Sequence, residues 1–585
     1  MILNKIKKAV SVFKQFWGIL SGKFRVQFAI IFIVILIGSL LETLGVSVLL
    51  PFIQAILDPE KIMQKEYVKI FIKIFKIQSN NTFIIAISIL VAVFYVIKNG
   101  YQVLSNYWQN KFRTNLQGYI SETILTAYMY HPYSFFLDTN SSVLMRNVIS
   151  DANGIMTCVT SMFQIITTIF VIIFMFSFLF ITDAFLASGL CIAAFVVFGG
   201  TTFLLGRPLR NYGEKLRVTD AACYKTCTQA FQGIKEIIVT RKEVYFSEEY
   251  KKSYERKNKY DIRKCILEYI PSRLIEASCL SVLVLLVAFK VVTGRVVSDI
   301  MISNLGAFAV AAFKLLPAVS ALSSNFNSFI VQYSALSSVY QNLEESKKYF
   351  SKNGNEKLSF NNSIEMKNLS FAYATNKNKK VLNSVNAKIL KGDVVGIKGG
   401  SGSGKTTCVD LILGLLEPDA GKVFIDQVEL TDANVNAWRE KISYVPQTAY
   451  LIDDTIRANI AFGVPEKEID DERIKIAMKE AMLYDYVSGL PEKEMTVVGE
   501  RGVQMSGGQR QRLSIARALY NNPDIIIFDE ATSALDEITE KEIMESIDNL
   551  IGQKTLIIIA HRLSTLKKCN KIFEVADGKI NISEK

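Results

Sequence analysis

The chain has 585 residues, half of them hydrophobic, and carries a formal net charge of +12. A mean hydropathy of +0.25 is too high for an ordinary soluble protein and predicts two domains, one of them in a membrane. The positive charge excludes little by itself, but most of it flanks apolar runs rather than forming a basic face interleaved with aromatics, so nucleic acid is not expected as a partner.

The basic start (Lys5, Lys7, Lys8, Lys14, Lys23, Arg25) precedes an apolar run too long for a cleavable signal and without a small-residue cleavage site, which predicts a retained first span. A bilayer core takes about 20 mainly apolar residues in helix, and roughly six segments meet that requirement. They run near Phe28 to Leu57, Thr82 to Tyr107, Ile155 to Ile181, Ala184 to Gly206, Ile270 to Phe289 and Ile300 to Ile330. The connection after the first span places Lys65, Lys69, Lys73 and Lys76 on one helical face and Val68, Phe71, Ile74 and Phe75 on another. This is an amphipathic helix suited either to a membrane interface or to packing on its own domain.

The connections from Gln109 to Gly154 and from Arg207 to Tyr269 are long and rich in lysine and arginine, as helices continuing into the cytoplasm would be. The eight cysteines, Cys158, Cys191, Cys223, Cys227, Cys265, Cys279, Cys408 and Cys569, lack paired zinc spacing and read as free thiols. Charges inside spans are expensive, which singles out Glu42, Lys98, Arg273, Glu276 and Lys314. Arg273 and Glu276 stand one helical turn apart and can neutralise each other. Lys98 can snorkel. Lys314 has no acid nearby in sequence.

From Ser363 the pattern changes to short apolar runs alternating with helical stretches, the texture of a soluble α/β domain. The charged stretch from Glu344 to Lys357, with Asn353-Gly354-Asn355, marks the linker. The expected organisation is a transmembrane domain over 1–345, a linker over 346–362 and a soluble domain over 363–585.

Two elements of the soluble part carry chemistry. Gly399, Gly400, Ser401, Gly402, Ser403, Gly404, Lys405 and Thr406 follow the strand Val394 to Ile397 and precede the helical run that begins at Thr407. In that context they read as a phosphate-binding loop: backbone N–H groups turn toward phosphates, Lys405 adds a point charge, and the Thr406 hydroxyl ligates Mg²⁺ beside ATP. The apolar strand Ile525 to Phe528 ends in Asp529 and Glu530, which supply a water-mediated Mg²⁺ ligand and a base for the attacking water.

Between these stands Met505-Ser506-Gly507-Gly508-Gln509-Arg510-Gln511-Arg512, which resembles the signature loop of ATP-binding cassette transporters, with Met505 where the family has Leu. The resemblance implies a six-helix membrane domain followed by a P-loop α/β ATPase, the architecture of a half-exporter. It implies a composite site in which Ser506, Gly507, Gly508 and Gln509 grip ATP held by a second subunit, and hence a dimer, expected to be a homodimer. It also assigns Tyr373 to adenine stacking, Thr407 to the nucleotide, and Gln447 to Mg²⁺, the γ-phosphate and sensing of the membrane domain. His561 becomes a switch that contacts the γ-phosphate, Val498 to Gly502 a loop toward the neighbouring membrane domain, and Ser533 to Asp536 a dimer contact. Gln447, Glu530 and His561 together form the implied catalytic set.

His131 to Leu137 and Gln232 to Val239 resemble coupling helices. Glu42-Thr43, Phe94 to Lys98 and Lys314 to Pro317 resemble bacterial flippases of lipid-linked oligosaccharides, which implies that Lys98, Arg273 and Lys314 meet a pyrophosphate. The expected location is a bacterial-type inner membrane with the cassette and N-terminus in the cytoplasm. Export of amphipathic drugs or of lipid A-like lipids, and a non-transporting ATP-gated membrane protein, remain as alternatives.

Overall fold

A computed structural model describes residues 14–584 except 58, 65–67, 70–71, 74–78, 183, 293–298, 351–353, 355, 500–501, 531–536, 561 and 563–565, with the backbone alone at 46, 49–51, 53, 54, 57, 61, 182, 290, 291, 299–314, 316, 350, 375 and 537–539. The chain divides into two compact units, residues 1–130 with 139–347, and residues 131–138 with 348–585.

The first unit is helical. Its elements are α1 (Gly22–Leu57), α2 (Asn80–Met129), α4 (Ser141–Arg146), α5 (Ala152–Thr182), α6 (Ala184–Gln232), α7 (Ile234–Thr240), α8 (Glu243–Val292) and α9 (Asp299–Phe350), while α3 (Tyr133–Asp138) belongs to the second unit. Among the described residues five helices are long and apolar enough to cross a membrane. The sixth predicted span falls on α9, much of whose membrane-spanning part is described by its backbone alone.

Ser79 starts α2 by accepting the Thr82 N–H at 3.3 Å, filling one of the donors a helix N-terminus leaves open. Phe28, Phe112 and Phe163 bring α1, α2 and α5 together with ring centroids 5.4 to 6.3 Å apart. Outward-facing Ile33, Ile89, Phe195 and Leu285 stay exposed, as side chains that face lipid do. Val68 and Ile72 pack with Ala55, Ile62 and Phe83, while Lys69 and Lys73 are exposed; the other positions of that predicted amphipathic helix, Lys65, Phe71, Ile74, Phe75 and Lys76, lie outside the described residues.

A one-turn π-helix (Asn147–Asp151) interrupts the approach to α5 and turns polar groups inward. Asp151, 3% exposed, takes two bonds from Arg217 of α6, at 3.2 Å from Nε and 2.6 Å from Nη2. Asn147 donates to the Tyr128 hydroxyl of α2 at 2.7 Å, and Asn342 of α9 donates to the same hydroxyl at 3.2 Å. The buried acid is thereby satisfied from α6, while the Tyr128 hydroxyl is shared by side chains of the π-helix and α9.

The second unit holds two sheets. Strands β1 (Ser363–Phe371), β2 (Leu382–Leu390), β4 (Ala420–Ile425) and β5 (Val428–Glu429) form an antiparallel sheet in the order β2-β1-β4-β5. The six-stranded sheet runs β10-β9-β3-β8-β7-β6, where β3 is Val394–Lys398, β6 Ile442–Val445, β7 Ile525–Asp529, β8 Thr555–Ile559, β9 Lys571–Ala576 and β10 Lys579–Glu584. Its pairs from β9 to β6 are parallel, and β7 and β8 are buried along their whole length, which is why they read as unbroken apolar runs. Helix α10 (Lys405–Ile412) follows β3, and Trp438 fixes its end by donating to the Ile412 carbonyl at 2.7 Å. Segment 131–138 joins this unit, with the His131 ring 4.1 Å from Phe135 and 4.7 Å from Tyr349. The helix that enters the expected linker continues to Phe350.

Candidate functional site

The carboxyl ends of the parallel strands gather the polar residues, as open α/β sheets dictate. The loop from Gly399 to Gly404 leaves β3 and curls into α10. A Cβ at Gly399 would stand 2.4 Å from the Val575 carbonyl oxygen, and Gly404 caps the helix at φ +107, so side chains at either position would clash or strain the loop. Lys405, 7% exposed, donates its ammonium to the Gly399 and Gly400 carbonyls, each at 3.0 Å. The Ser403 hydroxyl oxygen is buried and has no hydrogen-bond partner among the described residues, a polar group in a loop whose shape suits an anion.

A cleft of about 570 Å³ opens beside this loop, lined among others by Tyr373, Lys379, Lys380, Ser401 and Asp577. Tyr373 is held at its rim by a 2.9 Å bond between its hydroxyl and that of Thr407, and by an edge-on contact with Phe371 at 5.1 Å. Lys379 and Lys380 escaped the sequence reading because they belong to no motif; the only signal was the lysine-rich run that follows Tyr373.

Two strands along, β7 delivers Asp529, 8% exposed, whose Oδ2 accepts from the Tyr444 hydroxyl at 2.8 Å. Burial raises the Asp529 carboxyl above its ordinary range and the Glu530 charge adds to this, while the Tyr444 hydrogen bond and Lys405 oppose it. Asp410, on α10, is lifted to about 6 by burial and by the neighbouring Asp529 charge. Burial, then Asp529, raises Tyr444 as well. Glu530 sits at φ 47, a left-handed conformation uncommon for a non-glycine residue. Its Oε2 accepts from Gln447 Nε2 at 2.8 Å, and its N–H donates to the Ile559 carbonyl at 3.0 Å. The structure thus brings Lys405, Gln447, Asp529 and Glu530 to one end of the sheet. Hard oxygens from Thr406, Gln447 and Asp529 are the donor type Mg²⁺ takes.

Ser506 begins helix α11 (Gly507–Tyr520) with a capping box: its hydroxyl accepts the Gln509 N–H at 3.2 Å, and Gln509 Oε1 accepts the Ser506 N–H at 2.8 Å. Met505 is buried in the core, which explains why it can stand for Leu. Among the described residues Ser506 to Gln509 contribute no wall to the 570 Å³ cleft. Gln511, which sequence reading also missed as a contact, ties α11 to the Pro446 carbonyl at 3.2 Å, next to Gln447. His561, Glu500, Arg501 and Ser533 to Asp536 lie outside the described residues.

A sequence profile described as "ABC transporter transmembrane region" matches residues 28–316, and one described as "ABC transporter" matches residues 382–533. The chain belongs to the ABC transporter family. The ABC transporter fold extends over nearly the whole chain: the structure of a bacterial Atm1-family ABC exporter with ATP bound superposes with a TM-score of 0.78 at 20% identity, covering 97% of this chain and 96% of that one. An ATP-dependent lipid A-core flippase of Saccharophagus degradans is 29% identical over 500 residues, 84% of this chain and 83% of that protein. Multidrug resistance protein 1 of Entamoeba histolytica is 41% identical over 218 residues, 37% of this chain, which spans only 17% of that protein's length. The cassette of this ABC transporter is an ATP-binding domain.

In the membrane unit, Lys98 is buried against Glu42, with 2.8 Å between Nζ and Oε2, and lies 5.1 Å from the Tyr95 ring centroid. Gln102 donates to the same Glu42 oxygen at 2.6 Å. Arg273 pairs with Glu276 at 2.7 Å and covers the Tyr269 ring. Lys314 lies in α9, but its side chain is outside the described residues.

Proposed function

We propose that the chain is one half of an ATP-driven exporter or flippase that works as a homodimer in a bacterial-type inner membrane, with cassette and N-terminus in the cytoplasm. The observation that carries this reading is the convergence of Lys405, Gln447, Asp529 and Glu530 at one sheet end. The chain carries one phosphate loop and one loop resembling the family signature at Ser506 to Gln509, so in this reading a second copy completes each site. Exposed Phe231, Ile238 and Val239 on and beside α7 support this, since an apolar helix face in a cytoplasmic loop suits a groove on another subunit.

In this reading Tyr373 stacks on adenine, the loop from Gly399 to Thr406 cradles the phosphates, and Thr406, Gln447 and Asp529 hold Mg²⁺. The bound ion neutralises charge on the phosphates. Glu530 takes a proton from the attacking water, Gln447 orients Glu530 and responds to the membrane helices, and His561 contacts the γ-phosphate. Segments 131–137 and 232–239 carry cassette closure to the spans.

The cargo we propose is a lipid-linked oligosaccharide or another anionic lipid-linked saccharide, met by Lys98, Arg273 and Lys314. A second reading, transport of amphipathic drugs or lipid A-like lipids, is favoured by the pairing of Lys98 with Glu42 and Arg273 with Glu276, which leaves less net positive charge for a pyrophosphate. ATPase activity in proteoliposomes separates them. The first reading expects stimulation by a polyprenyl pyrophosphate saccharide and loss of flipping, with ATPase retained, in Lys314→Ala. Stimulation by lipid A or drugs alone, with Lys314→Ala unchanged in transport, selects the second.

A further inference from the structure

Tyr444 lies on β6, the edge strand, in register with Ile527 of β7, and its hydroxyl reaches along the neighbouring strand to Asp529 Oδ2 at 2.8 Å. The residue is 38% exposed, whereas the carboxylate it touches is 8% exposed. The charge of Glu530 acts on Asp529, and the charge of Asp529 acts in turn on Asp410. Of the described side chains only Tyr444 is seen to hydrogen-bond the Asp529 carboxylate, so this bond fixes its orientation.

We propose that Tyr444 is a positioning residue for the metal site: its hydroxyl locks the Asp529 side chain, occupies Oδ2, and leaves Oδ1 presented toward the water shell of the ion that accompanies ATP. The assignment rests on the reading of this site as a Mg²⁺–ATP site. It follows the general behaviour of metal-site carboxylates, whose hydrogen-bond partners set orientation and basicity. A ring that merely filled the sheet edge would need no hydroxyl, so the atom to remove is the oxygen alone.

The test uses the full-length protein in detergent, wild type and Tyr444→Phe, with a non-hydrolysable ATP analogue and Mn²⁺ followed by electron paramagnetic resonance. Loss of a metal ligand's partner weakens metal binding by about ten-fold at the low end of the usual range, the end suited to a ligand acting through water. Tyr444→Phe is therefore expected to bind Mn²⁺ about ten-fold more weakly, with nucleotide affinity in EDTA unchanged. In an Asp529→Ala background, which removes the acceptor, Tyr444→Phe should cause no further loss, a result that global destabilisation would not give. Equal Mn²⁺ affinity in Tyr444→Phe and wild type, or an undiminished loss in the Asp529→Ala background, overturns the proposal. Wild-type protein that binds the nucleotide analogue but no Mn²⁺ overturns the Mg²⁺–ATP reading and this assignment with it.

Discussion

Replacing Glu530 by Gln separates chemistry from architecture at this site. The side chain keeps its length and volume, and an amide can still exchange a hydrogen bond with Gln447, now 2.8 Å from Glu530 Oε2. The left-handed backbone at φ 47 is held by the N–H bond to Ile559, which the substitution leaves alone. Stability should therefore change by less than about 0.5 kcal/mol, the usual range where no packing or buried charge is lost. On the proposed reading, what disappears is the base. General base catalysis contributes about 10² to 10⁴ in rate, equivalent to roughly 3 to 5.5 kcal/mol of barrier. Single-turnover hydrolysis with radiolabelled ATP should slow at least about 100-fold while ATP remains bound through gel filtration. Turnover within about three-fold of wild type, too little for loss of a general base, would refute the assignment of Glu530.

Three further outcomes follow from the geometry. Asp151→Asn leaves Arg217 without its counter-charge in a mostly buried place and should cost about 3 kcal/mol, read as a lower unfolding temperature of the purified protein; an unchanged temperature contradicts a structural role for the pair. Lys98→Met should destabilise more than Lys98→Met combined with Glu42→Gln, because the single change leaves the half-buried Glu42 carboxylate without its ammonium; a double variant no more stable than the single one contradicts the pairing. Asp410, raised to about 6 from an ordinary 3.8, binds its proton more tightly in the folded state, so it lowers stability increasingly as pH rises from about 4 to 6 and fully above that. The shift corresponds to a ceiling of about 3 kcal/mol, reduced to about 1 kcal/mol by solvent screening of a partly exposed side chain. Asp410→Asn should accordingly raise the unfolding temperature at pH 7.5 and lose that gain near pH 4, whereas an equal gain at both pH values contradicts the linkage.

The glycine-rich turn between β3 and α10 was legible because its information is local. Glycines at Gly399 and Gly404, a lysine at Lys405 and a strand before them must lie consecutively for the turn to form, so the sequence carries the geometry directly. The apolar run that ends in Asp529 was equally plain, since a strand buried on both faces loses its alternation. Arg273 and Glu276 stand one helical turn apart and their pairing was readable for the same reason. Contacts set by tertiary packing left no such trace. Lys98 meets Glu42 only because α1 and α2 lie side by side, and Asp151 meets Arg217 only because a π-turn rotates it toward α6. Tyr444 reaches Asp529 through parallel register between β6 and β7, which no motif encodes. The grouping of 131–138 with the cassette likewise depends on His131, Phe135 and Tyr349 meeting in space, and the helix running on to Phe350 hides the expected start of the linker behind unbroken helical texture.

Shared use of nucleotide by two copies is tested most directly by mixing subunits. In a Glu530→Gln background, chains bearing Lys405→Ala and chains bearing Ser506→Arg are purified separately and as a co-expressed, doubly tagged pair, and retained ATP is counted. The account predicts that neither parent retains ATP and that the mixed pair does, because one intact phosphate loop then faces one intact signature loop. A mixed pair as empty as its parents, or a parent that retains ATP as a strict monomer, would contradict it.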